Sequence, residues 1–167
     1  MSALNHAGFA TALPLTEGLL DWVRLQSRDT WHEIAREAEF QAHGATIDLL
    51  LALHWISQQP ACDRATALLI LTRASEAMLH TRDCPVQMVP QAAKSFCRGL
   101  HNALRADCFL QETLLLTDED LAAIDAQLAS NGPFCLPAAL RRTSGTIPHH
   151  PAYAFVDQRP IMPPLAA

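Results

Sequence analysis

The chain has one tyrosine, six glycines and, among twelve basic residues, a single lysine, Lys94. The arginine bias reads as composition rather than chemistry. No apolar run approaches the roughly 18–20 residues that a membrane helix needs. The first fifteen residues have neither a basic start nor a clear apolar block, so they do not read as a signal peptide. The five cysteines, Cys62, Cys84, Cys97, Cys108 and Cys135, are an odd number, far apart and without a Cys-x-x-Cys pair. That usage argues against a disulfide framework and fits reduced thiols in a cytoplasm. A net charge of −5 is a poor footprint for nucleic-acid binding. The glycine-rich phosphate loops, the two-histidine zinc helix and the nucleophile elbow are all missing.

What remains is the composition of a compact soluble protein, half apolar and 17% charged. At 167 residues the chain is one domain, and it is long enough to bury about 68–70% of its unfolded surface without a metal or disulfide staple. Its periodicity predicts an all-α bundle of about six helices over residues 1–142. An irregular, proline-rich extension follows over 143–167, in which Tyr153, Phe155 and Val156 suggest a short stretch that packs down. No strand pattern of useful length is apparent.

After a polar arm ending at Pro14, Thr16 offers a cap for a first helix to about residue 26, with Leu19, Leu20, Val23 and Leu25 inward. Asp29 is the expected cap of a second helix over about 30–43, facing inward with Trp31, Ile34, Ala35 and Ala38 and stopped by Gly44. Its carboxylates Glu33 and Glu37 read as a solvated outer face. The third helix, about 45–58, is apolar almost all round, which marks a core element. Pro60 ends it, and Asp63 stands where a cap is needed for an equally apolar fourth helix over 64–80. Pro90 opens a fifth helix reaching about residue 106. Thr117 and Asp120 approach a capping box for a sixth helix over 118–130.

Chemistry-bearing groups are few. His54 lies in the most apolar helix, where the simplest reading is a core-edge imidazole bonded to a carbonyl. Glu76, His80 and Cys84 recur at four-residue spacing, which would stack three ligands on one helical face. Pro85 pushes Cys84 out of helical geometry, so no metal and no cofactor are implied. His149 and His150 beside prolines read as part of an exposed tail. Asp63 beside Cys62 raises the thiol pKa and opposes thiolate chemistry, which favours a structural carboxylate.

The run Gln59-Pro60-Ala61-Cys62-Asp63, followed by Ala65-Thr66-Ala67-Leu68-Leu69-Ile70 and Arg73-Ala74, resembles the domain-of-unknown-function 4274 family over residues 49–75. The resemblance implies a helix, a proline-containing turn and a second helix; it implies no activity.

Two functions fit these features. The first is a cytoplasmic, bacterial-type helical protein that binds another protein without catalysis, in an accessory, adaptor or immunity-type role, with no nucleic acid or membrane as partner. The alternative is an enzyme or a small-ligand or metal binder with an interhelical site around His54, His80 and Asp63, joined by Glu76 and His32. Convergence of these groups in one pocket would favour the alternative.

Overall fold

The computed structural model describes residues 19–38, 45–80, 88–129, 132–145, 154–156 and 159–161. The expected N-terminal arm and Thr16 cap, the Gly44 stop, the Cys84-Pro85 break, and His149, His150 and Tyr153 lie outside them. The described residues form an all-α bundle of six helices: α1 Leu19–Val23, α2 Arg28–Glu37, α3 Ala45–Ser57, α4 Arg64–His80, α5 Met88–Arg105 and α6 Asp118–Leu128.

Helix α4 is the axis of the bundle. It packs against α2, α3, α5 and α6, and every residue from Cys62 to Thr72 is buried. A helix surrounded by four others has no use for a polar face, which is why Ala65, Ala67, Leu68, Leu69, Ile70 and Leu71 run on without amphipathic spacing. Two of its buried hydroxyls, Thr72 and Ser75, donate back to the carbonyls of Leu68 and Leu71 at 2.9 and 2.7 Å. Neither therefore burdens the core with an open donor. Trp31 fills the space between α2 and α3, standing edge-on to Trp55 at 5.4 Å and donating its indole N–H to the Val23 carbonyl at 2.9 Å.

The structure revises four local expectations. Helix α1 stops at Val23, and Leu25 is 84% exposed because three-residue bonds from Leu25 to Trp22 and from Gln26 to Val23 tighten the chain into a turn. Helix α2 is capped by Ser27, whose Oγ accepts from the Thr30 amide; Asp29 sits inside the first turn, and the helix closes at Glu37. Glu33 is not on a solvated face: it is 5% exposed. The extension contains a β-hairpin, β1 Ala154–Val156 antiparallel to β2 Arg159–Ile161, that three-residue strands were too short to announce.

Candidate functional site

The start of α4 is where the sequence placed its most interesting carboxylate. Asp63 is 1% exposed. Its Oδ1 accepts from the Ala65 amide at 2.9 Å, which is an N-cap bond. Its Oδ2 faces the opposite way and accepts from the Thr113 amide at 2.7 Å, the Thr113 hydroxyl at 3.0 Å and the Leu114 amide at 3.2 Å. Four donors match the accepting capacity of a carboxylate, three of them on Oδ2. The group therefore ties the helix to a segment fifty residues further along the chain, and its burial closes it to a substrate.

Arg64 completes the tie. Its amide donates to the Gln111 carbonyl at 2.8 Å, in a parallel β-bridge between Asp63 and Gln111. Its buried guanidinium reaches Asp107 Oδ1 at 2.7 Å and Glu112 Oε1 at 2.8 Å. Asp107 stands at φ 54, a left-handed conformation that Asp tolerates better than most residues. The amides of Asp107 and Cys108 return to the carbonyls of Leu104 and Ala103, so α5 ends in a Schellman motif with Asp107 in place of glycine. The result is a connection between α5 and α6 whose backbone is held from both sides. Beyond it, Gly145, at φ 155, lies so close that a Cβ there would come within 2.4 Å of the Thr113 carbonyl carbon.

A second polar seam joins α2, α4 and α6. Arg36 Nη1 holds Glu33 Oε1 and Oε2 at 2.9 and 3.1 Å, and its Nε lies 3.3 Å from Asp120. Asp120 also accepts from the Thr117 amide, and its own amide donates to the Thr117 hydroxyl oxygen, completing the anticipated capping box. Arg73 donates to the Arg36 carbonyl at 2.7 Å and pairs with Glu76 at 3.3 Å. Nearby, buried His32 Nδ1 shares a 3.0 Å hydrogen bond with the Thr66 hydroxyl. Buried charges paired in this way cost much to separate, and they orient helices rather than reagents.

Among the described side chains the candidate residues do not converge. His54 is exposed, not at the edge of the core, and stands edge-on to Phe96 of α5 at 5.2 Å. Glu76 is engaged by Arg73, Asp63 is saturated, and the side chain of His80 lies outside the described residues. No group of three or more His, Cys, Asp or Glu among the described residues is placed to hold a metal ion. Burial raises both core thiols, Cys62 and Cys97, to about 12; the Asp63 charge adds to the first, and a Ser75 hydrogen bond opposes the second. Neither is a nucleophile near neutral pH. The residues that sequence reasoning missed are the buried Arg64 and the half-buried Arg36, the cations that organise each seam. The one local signal was Arg64, an arginine at the head of an apolar run.

No helix among the described residues is long and apolar enough to cross a membrane. No family model, curated protein or solved structure matches the chain.

Proposed function

We propose that this chain is a non-catalytic protein-binding module of the cytoplasm, an accessory, adaptor or immunity-type protein. The observation that carries this reading is the saturation of Asp63: the carboxylate best placed for chemistry is fully engaged by backbone and hydroxyl donors. The other buried ionic groups serve as joints between helices. A scaffold in which polar groups fix surface segments rather than line a pocket favours recognition through its exterior. Among the described residues four cysteines are free thiols, two of them exposed, which suits a reducing compartment. The alternative, a ligand site around His54, His80 and Asp63, loses its support when His54 is on the surface and Asp63 is saturated.

The test is affinity purification of the full chain from its native host, followed by size-exclusion chromatography of the recovered complex. A protein recovered at fixed stoichiometry supports the proposal. A chain that comes out alone, with a small molecule retained in native mass spectrometry, would reverse it in favour of the alternative.

A further inference from the structure

Helix α5 carries charge of one sign only. The segment Met88–Arg105 contains no Asp or Glu, whereas each of the other five helices contains at least one. Lys94, Arg98 and Arg105 are exposed, and at 3.6 residues per turn their spacing puts them within about 40° of arc. They form a stripe roughly 16 Å long. Six of the twelve basic residues, Arg24, Arg36, Arg64, Arg73, Arg141 and Arg142, are held in ion pairs. Among the described residues Lys94, Arg98 and Arg105 make none. A solvated helix face ordinarily mixes the two signs at four-residue spacing. An unmixed cationic stripe on a protein of net charge −5 is therefore a local reversal of the molecule's own field.

Beside the stripe runs a row of short exposed side chains, Ala92, Ser95, Gly99 and Asn102. A Cβ placed on Gly99 would meet nothing within 4 Å, so the surface there is open. On the other flank His101 is drawn inward, donating Nε2–H to the Cys135 carbonyl at 3.0 Å and standing edge-on to Phe134. The stripe thus has one low shoulder along which another backbone can come close.

We propose that the outer face of α5 docks an acidic helix of a partner protein, its axis along the Ala92–Asn102 row and its carboxylates opposite Lys94, Arg98 and Arg105. This rests on the reading of the chain as a protein binder and names the surface and the partner's chemistry. Three cations suit a helical segment with a few carboxylates. A long polyanion such as nucleic acid would meet the repulsion of the remaining surface.

The experiment uses the full chain, the charge-reversed variant Lys94→Glu/Arg98→Glu/Arg105→Glu, and the neutral variant Lys94→Gln/Arg98→Gln/Arg105→Gln. Circular dichroism confirms that both remain helical. Host proteins retained by each are quantified at low and high salt, with and without nuclease, and the wild-type complex is joined by zero-length carbodiimide coupling. The expected result is a protein partner held about tenfold more weakly by the neutral variant and lost from the reversed one. The coupled bond should run from Lys94 to an Asp or Glu in a helix of that partner. A partner retained equally by all three chains overturns the docking face and leaves the protein-binding reading intact. Retention abolished by nuclease overturns the partner class. Recovery of no protein with the wild type overturns both.

Discussion

The carboxylate of Asp63 does two jobs with two oxygens, and substitutions separate them. Asp63→Ala strands the Ala65, Thr113 and Leu114 amides and the Thr113 hydroxyl, all at a buried site. Denaturant unfolding is expected to register a loss of about 3 kcal/mol, more than an N-cap alone supplies. Asp63→Asn is milder, at about 1–2 kcal/mol. Its amide can turn its oxygen toward Thr113 and Leu114, but its NH2 then faces the Ala65 donor. Near-equal stability of all three proteins would remove Asp63 from its structural role. The cysteines divide just as cleanly. At pH 8 iodoacetamide is expected to modify the exposed Cys108 and Cys135 in the native protein, while Cys62 and Cys97, with thiols near 12, react only after unfolding. Peptide mapping before and after denaturant distinguishes the two sets, and native labelling of Cys62 would contradict the burial.

Among the elements, α4 and α6 could be read from the sequence. A proline-containing turn, an acidic cap and an apolar run gave the first its start at Arg64, and the Thr117–Asp120 pair gave the second its start at Asp118. Helix α2 could not be read so closely, because Ser27 and Asp29 are both good caps and the helix takes the earlier one. Glu33 escaped for a related reason: a carboxylate on an amphipathic helix looks solvated until a neighbouring helix, here α6 with Asp120, closes over the turn it shares with Arg36. The candidate site was legible at one residue, since Asp63 could be recognised as a cap, but its three contacts to Thr113 and Leu114 come from a segment with no pattern of its own. The 3-10 turn Ala138–Arg141 after α6 is a further element without a sequence signal. Arg141 and Arg142 both close on Asp125 of α6, and their hydrogen bonds hold its carboxyl near 2. A depressed folded pKa adds stability above the unfolded value of about 3.9 and loses it as pH falls toward 2. Asp125→Asn is therefore expected to flatten the pH dependence of thermal unfolding between about pH 4 and 2. An unchanged profile would show that the clasp does not persist in solution.

For the whole molecule, the contact of Gly145 with Thr113 puts the functional edge of the folded unit slightly beyond residue 142. A chain ending at Gly145 is expected to keep its helical circular dichroism and its melting temperature. Ending at Arg142 removes the backbone that lies over Thr113 and should lower the midpoint by a few degrees, the size expected for about 1 kcal/mol. Identical melting of the two truncations would show that the contact contributes nothing. The tie between Asp63 and Thr113 also bears on the order in which the bundle assembles. The cap of the central helix is split across a sequence separation of fifty. Closing a loop of that length costs about 3.5 kcal/mol of chain entropy before any bond forms. The inner half of the cap, to Ala65, can form as soon as α4 nucleates, whereas the outer half must wait until α5 has folded and the chain has turned back. The outer half of the cap is thus expected to close late, so that loss of the Thr113 and Leu114 bonds hastens unfolding more than it delays folding.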